Sequence, residues 1–408
     1  VRGPRLPVPP SQAARPEGIW VPTGGGTPGN GLARAVGPFT AGRAGLPSRH
    51  RTTVFEVATT SVGTPLPAEA PAAVLVRPGE IRIEERPVPE PGPGQVLVEV
   101  LAVGVCGSDV HYFNEGRIGD FVVTAPLVLG HEASGVVRGL GPATTGRLRV
   151  GQRVAMEPGV PCRRCQDCRA GRYNLCKDVR FFATPPVDGA FTRYVAHDED
   201  FCYPLPDSLS DDAGALIEPL SVAIWAARKA RLQPADRVIV TGAGPIGLLS
   251  AAVASAAGAA EVVVTDVQPA RLELATKMGA SLVVDARRAP EVLDGLEADA
   301  LIECSGSPEA LEAGLYGLRG CGRAVVVGMS AEGRARVPMS QLQNREIELT
   351  GTFRYANTYP AALALAESGK VKLDTIVSAH FGLSEVADAL AAARRDPLSV
   401  KPVVRPGC

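Results

Sequence analysis

Four of the chain's nine cysteines fall within fifteen residues, in the stretch CRRCQDCRAGRYNLC over 162–176. Cys162, Cys165, Cys168 and Cys176 follow the spacing C-x2-C-x2-C-x7-C. Four thiolates this close can surround Zn2+ tetrahedrally and leave no ligand position for water. A redox pair would call for a single C-x-x-C in a thioredoxin-like βαβ setting, which the flanking sequence lacks. An iron–sulfur cluster is the rival reading, but ferredoxin-type C-x2-C-x2-C runs lead on to C-x3-C-P, whereas here the fourth cysteine follows after seven residues and precedes Lys177. Structural zinc is therefore expected. A closed site activates no substrate, so the reaction must be sought elsewhere.

Upstream, VGVCGSDVH and VLGHEASGVV place Cys106, His131 and Glu132 at the ends of apolar runs, with Gly107 and Gly130 beside them. A cysteine, a histidine and one or two carboxylates make an open zinc site with room for a water or an alcohol. Taken alone, a cysteine 25 residues before a histidine reads more readily as a buried thiol and a core imidazole. A third constellation is RVIVTGAGPIGLLSAAVASAAGAAEVVVTD over 237–266. Gly242, Gly244 and Gly247 fit G-x-G-x-x-G between a predicted strand and a predicted helix, the arrangement that brings a pyrophosphate to a helix N-terminus. Asp266 closes the next strand nineteen residues after Gly247, where a carboxylate can accept both adenosine ribose hydroxyls and would repel a 2′-phosphate. NAD is the cofactor this favours over NADP. Arg271, five residues on, has the reach to stack on adenine.

The elements around these residues divide the chain. Residues 1–70 hold eleven Pro, eleven Gly, seven Arg and three acids, without apolar periodicity, and are read as a disordered Pro/Gly-rich extension. Residues 71–219 are short β-branched runs broken by Pro and Gly, with folded sequence expected from about Ala72 and the cysteine lobe at 158–180. After Pro219 helical and strand patterns alternate over 220–351, which implies βαβ units and a parallel sheet. Residues 352–408 return as helix, strand, helix and strand. The fold class is thus α/β, a doubly wound parallel sheet joined to a β-rich domain.

A formal net charge of −1 gives no basic field for nucleic acid or acidic lipid. The longest apolar run, 245–260, falls short of the roughly 20 residues of a membrane span. Cys202, Cys304, Cys321 and Cys408 show no ligand spacing, and scattered single cysteines suit a cytoplasmic protein better than a disulfide framework. His197 and His380 read as core or surface residues, and His50 lies in the extension.

GHEASG, CGSDVH, the four-cysteine lobe and GAGPIG, in this order, resemble the zinc-dependent medium-chain dehydrogenase/reductase superfamily. ALIEPLSVAIWA, RYNLC…FFATPPVDGAF and GTFRYANTYP narrow the resemblance to its sorbitol (L-iditol)/xylitol dehydrogenase branch, over about 72–405. It implies a GroES-like catalytic domain with a zinc lobe, a Rossmann NAD domain, and two Zn2+ per chain, one catalytic and one structural. Catalytic zinc ligands would be Cys106, His131 and Glu132, with Glu218 of IEPLSV approaching the metal directly or through water. Ser108 would handle the substrate proton and His111 relay it. Tyr112, Glu218, Arg354 and Tyr355 would meet the substrate. Gly242, Gly244, Ile246, Gly247, Asp266, Arg271, Val327, Gly328, Met329, Phe353, Arg354 and Tyr355 would meet NAD. The expected reaction is oxidation of a polyol such as sorbitol or xylitol to its ketose, by a homo-oligomer (tetramer or dimer). Another zinc dehydrogenase, acting on threonine, arabinitol or a simple secondary alcohol, and an idle binding protein on the same fold stay open.

Overall fold

The computed structural model describes residues 65–330, 333–396 and 398–408. Most of the proposed 1–70 extension therefore lies outside the described residues. The first strand, Glu69–Arg77, starts slightly before the expected Ala72, because alternating burial begins at Ala70.

Runs such as QVLVEVLAVG are β-branched and bury nearly every position, which suits a strand covered on both faces. The strand Gln95–Gly104 lies inside a seven-stranded sheet, pairing with Glu132–Leu140, Tyr194–Asp198 and Lys401–Arg405. The last of these comes from the chain's C-terminal end and is itself flanked by Val377–Gly382. The return segment thus completes the sheet that carries Cys106 at the end of one strand and His131 at the start of another.

Between these parts stands a six-stranded parallel sheet, in the order Leu282–Asp285, Glu261–Asp266, Arg237–Thr241, Ala298–Glu303, Leu318–Val326, Glu348–Gly351. Numbered within this sheet the order is 3-2-1-4-5-6, the doubly wound Rossmann arrangement. Val238–Val240, Val262–Val264, Leu301 and Ile302 are essentially inaccessible, as both faces are covered by helices. The order reverses between the first and fourth strands, so ligands bind at their carboxyl ends.

One helix departs from the sequence reading. The change of character at Pro219 marks no break: a single helix runs Asp211–Ala230 with Pro219 inside it, N-capped by Ser210 whose hydroxyl accepts from Ala213 N. It packs against strands of both sheets, and this tertiary burial outweighs the one backbone bond that Pro219 removes. Glu218, on its middle turn, is thereby placed between the two lobes. Among the described residues no helix is long and apolar enough to cross a membrane.

Candidate active site and metal centres

Cys106 is the N-cap of the helix Gly107–Glu115, and its N–H donates to Asp109 Oδ2 at 3.1 Å. Asp109 is fully buried. Its other oxygen accepts from Gly130 N at 3.0 Å and stands 3.5 Å from His131 Nδ1. One carboxylate thus ties the Cys106 turn to the His131 turn and orients the imidazole, as acids hydrogen-bonded behind metal-bound histidines do. Glu132 is as deeply buried, and a Cβ on Gly104 would come within 2.1 Å of its Oε2, so only glycine leaves it room there.

The ligand atoms of Cys106, His131 and Glu132 lie within 4.8 Å of one another. Burial opposes charge on His131, but Asp109 and the Cys106 sulfur outweigh it and hold its pKa well above the usual value. Surroundings this negative around a buried imidazole fit a bound cation. Soft sulfur, borderline imidazole and one carboxylate are zinc's donor set for an open site. Glu218 is not one of the mutually close three. Burial pushes its carboxyl up to about 7; His131 acts against that rise and Glu132 adds to it, so the ligand set and Glu218 feel one another's charge. Tyr355 donates its hydroxyl to Glu218 Oε1 at 2.8 Å.

A wall of side chains adjoins this centre. The Arg354 guanidinium lies 3.8 Å over the Phe181 ring, and its Nη2 donates to Thr184 Oγ1 at 3.3 Å. Phe181 in turn sits 5.7 Å from the His131 ring. Tyr112 and Tyr355 are buried beside Arg354. Ser108 follows Cys106 in the first helical turn. His111, one turn further, is half-exposed and pairs with Glu115 at 3.2 Å.

On the Rossmann side, a cavity of about 490 Å3 is lined by Gly242, Gly244, Asp266, Arg271 and Ser305. Asp266 accepts from Ala243 N at 2.6 Å and from Gln268 N at 2.8 Å, so it fixes the glycine loop as well as facing the cavity. A Cβ on Gly247 would fall 1.7 Å from Gly242 O, which leaves glycine as the sole choice where helix Pro245–Ala256 starts. Ile246 lies on its first turn. At the other end Val327 N and Gly328 N donate to the Glu303 carbonyl, while Met329 and Phe353 are exposed.

The second centre is self-contained. Cys162, Cys165, Cys168 and Cys176 hold their sulfurs within 4.8 Å of one another, with Cys165–Cys168 at 3.4 Å and Cys162–Cys168 at 3.9 Å. Zn–S bonds of about 2.3 Å in a tetrahedron put sulfurs about 3.8 Å apart, so the set fits. Cys165 N, Cys162 N and Cys168 N each point at a neighbouring sulfur at 3.4–3.5 Å, and such donors favour thiolates.

Sequence reasoning passed over Asp109, although it stands inside the CGSDVH motif at the capping position of its helix. It also missed Lys401, which donates to Glu132, and Glu157, which accepts from the Tyr173 and Tyr203 hydroxyls at 2.6 and 3.0 Å. A lysine at the head of an apolar C-terminal strand was the available signal for Lys401. Phe181 and Thr184 fall in the loop RFFATPP, whose path only the fold reveals.

Comparison with known proteins agrees with this geometry. Residues 92–207 match the alcohol dehydrogenase GroES-like domain, and residues 245–368 match the zinc-binding dehydrogenase domain. A sorbitol dehydrogenase of Bacillus subtilis is 42% identical over 335 residues, covering 80% of this chain and 94% of that one. Sorbitol dehydrogenase of Macaca fascicularis is 45% identical over 324 residues, covering 78% of this chain and 90% of that one. Among solved structures, L-idonate 5-dehydrogenase of Escherichia coli superposes with a TM-score of 0.78 at 33% identity, covering 83% of this chain and 98% of that one. With both domains matched in order, and relatives covered nearly end to end, the chain belongs to the zinc-dependent medium-chain dehydrogenases, in their sorbitol dehydrogenase branch.

Proposed function

We propose that the protein oxidises a secondary hydroxyl of a polyol, such as sorbitol or xylitol, to the ketone and transfers the hydride to NAD+. The observation that carries this reading is the open set Cys106, His131 and Glu132 beside a wall holding Arg354, Tyr355 and Tyr112. Zinc bound there would supply Lewis acidity that lowers the hydroxyl pKa, and NAD+ in the Rossmann cavity would be the hydride acceptor. Cys106, His131 and Glu132 hold the metal, and Asp109 orients His131. Ser108 takes the proton from the reacting hydroxyl. His111, three residues further on the same helix and open to solvent, hands it to water. Glu218, held by Tyr355, would meet the metal directly or through water. Arg354 donates to a hydroxyl further along the substrate.

The catalytic domain comprises 71–219 and 352–408, the NAD domain 220–351, and Cys162, Cys165, Cys168 and Cys176 hold a structural zinc. Gly242, Gly244, Ile246 and Gly247 cradle the pyrophosphate, Asp266 and Arg271 the adenosine, and Val327, Gly328, Met329 and Phe353 the nicotinamide end. We infer a cytoplasmic homo-oligomer, dimer or tetramer. The nine free cysteines suit a reducing compartment, and the strand Glu348–Gly351 ends its sheet with an open edge. Light scattering counts the subunits. The test of the reaction is NADH formation by the zinc-loaded protein with sorbitol, xylitol, threonine and 2-propanol. Turnover confined to the last two would refute the substrate class.

A further inference from the structure

The segment 352–358 links the last Rossmann strand to the helix Tyr359–Glu367 and has no regular structure of its own. It sets Arg354 over the Phe181 ring and Tyr355 against Glu218. Arg354 and Asn357 both hold left-handed backbone, with φ of +52° and +55°. Side-chain-bearing residues adopt that conformation at a cost, and external contacts must hold them in it.

Much of that hold comes from the four-cysteine lobe. Asn174 Nδ2, buried, donates to Phe353 O at 2.9 Å. Asn357 N donates to the Tyr173 hydroxyl at 2.8 Å, and Asn357 Nδ2 to Gly171 O at 3.1 Å. Gly171, Tyr173 and Asn174 lie between Cys168 and Cys176, and the turn Tyr173–Leu175 is closed by Cys176 N donating to Tyr173 O at 3.0 Å. Tyr173 is fixed from behind by donating to Glu157, which also accepts from Tyr203. Outside the lobe, Arg228 Nη1 reaches Asn357 O at 2.9 Å.

We propose that Tyr173 and Asn174 are positioning residues for substrate binding: they clamp the backbone of 353–357 onto the cysteine lobe and so aim Arg354 and Tyr355 at the polyol. The lobe then sets substrate affinity as well as stability. The inference rests on the reading of Arg354 and Tyr355 as the substrate wall.

Two substitutions separate positioning from structure. Tyr173→Phe and Tyr203→Phe each remove one hydrogen bond to Glu157 and keep a ring, but only Tyr173→Phe frees Asn357 N. In the full-length, zinc-loaded protein, Tyr173→Phe is expected to raise KM for the best polyol roughly five- to twentyfold with kcat within about threefold. Amide exchange at 353–358, followed by mass spectrometry, should accelerate with it, while both zinc ions stay bound. Tyr203→Phe should leave KM within about twofold and the 353–358 amides protected. If Tyr173→Phe accumulates poorly, Asn174→Ala must give the same split. Equal effects of the two tyrosine variants on KM overturn the proposal. So does an unchanged KM in Tyr173→Phe when Arg354→Ala raises it, and in that case the substrate-wall reading survives. An Arg354→Ala protein with unchanged polyol KM overturns both.

Discussion

The Lys401 ammonium stands 2.8 Å from each carboxylate oxygen of Glu132, and neither side chain is more than 2% exposed. It also donates to Val105 O at 2.9 Å, directly before Cys106. Burial would lower the Lys401 pKa, yet Glu132 and the Cys106 sulfur outweigh it and the pKa is raised, so the ammonium keeps its charge. The strand that closes the sheet thus delivers a counter-ion to the metal ligands. In the zinc-free protein, Lys401→Met leaves the Glu132 carboxylate buried without its counter-ion and is expected to cost about 3 kcal/mol in folding stability. Adding Glu132→Gln should recover part of that loss, because the two changes share one interaction. Additive losses in denaturant melts would show that the pair is not coupled.

Glu157 gives a pH signature. Burial raises its pKa to about 7 against the opposing hydrogen bonds from Tyr173 and Tyr203. Between pH 4.5 and 7 the native carboxyl keeps a proton that the unfolded chain releases. Its contribution is therefore complete below the unfolded pKa and fades as pH rises through about 7. Relative to Glu157→Gln, the wild type should lose roughly 3 kcal/mol between pH 4.5 and 8. The difference between the two proteins cancels His197, whose pKa burial lowers to about 4 and which titrates alike in both. A flat difference across that range would contradict the assignment.

The two metal centres should separate by function. Cys106→Ser removes an open-site ligand and is expected to abolish turnover while the protein stays folded with about one zinc per chain. Cys165→Ser opens the closed site and should lower Tm and yield, with the folded fraction still turning over at saturating polyol. Metal content, melting curves and initial rates on both variants decide this. Loss of turnover in a stable, well-folded Cys165→Ser protein would place chemistry in the lobe.

Those centres were legible because their ligands are close in sequence or stand near glycine at the ends of apolar runs. The parallel sheet was legible for a similar reason: strands buried on both faces read as unbroken apolar runs, and the glycine loop fixes the first of them. Lys401 and Glu132 lie 269 residues apart, and only pairing of the C-terminal strand with Gln95–Gly104 joins them. The start of the helix Asp211–Ala230 was illegible because a proline that would end an isolated helix survives in one packed on two sheets. The clamp of Tyr173 and Asn174 on 353–357 was illegible because each of its bonds joins a side chain to a backbone atom 179 to 186 residues away, and a backbone partner leaves no mark on residue type.

Cofactor choice should rest on Asp266. We expect kcat/KM to favour NAD+ over NADP+ at least tenfold, about 1.4 kcal/mol. Asp266→Ala would also strip the acceptor from Ala243 N in the glycine loop, mixing specificity with loop disorder. Asp266→Asn keeps an acceptor oxygen and removes the charge, so it should narrow the ratio with little change in Tm. Equal use of both cofactors by the wild type would remove this role from Asp266.

Arg354 should decide between polyols and simple alcohols. Its guanidinium is fixed by Phe181 at 3.8 Å and by Thr184 at 3.3 Å, and its neighbours include Tyr112, Tyr355 and Glu218. The named Thr184 contact uses one of five N–H donors, and the others suit a hydroxyl one or two carbons from the reacting centre. Ethanol has no such group. A hydrogen bond to a charged donor contributes about 1.5–3 kcal/mol, hence one to two orders of magnitude in kcat/KM. Xylitol or sorbitol should therefore exceed ethanol and 2-propanol by at least that factor. In Arg354→Ala most of the advantage should vanish, while the rate with 2-propanol stays close to wild type. Arg354→Lys should restore little, because an ammonium cannot lie flat on Phe181 and donate sideways as the planar fork does. Initial rates of NADH formation across these alcohols measure the ratio directly. A polyol preference that survives Arg354→Ala intact would move the recognition of the distal hydroxyl to another residue of the wall.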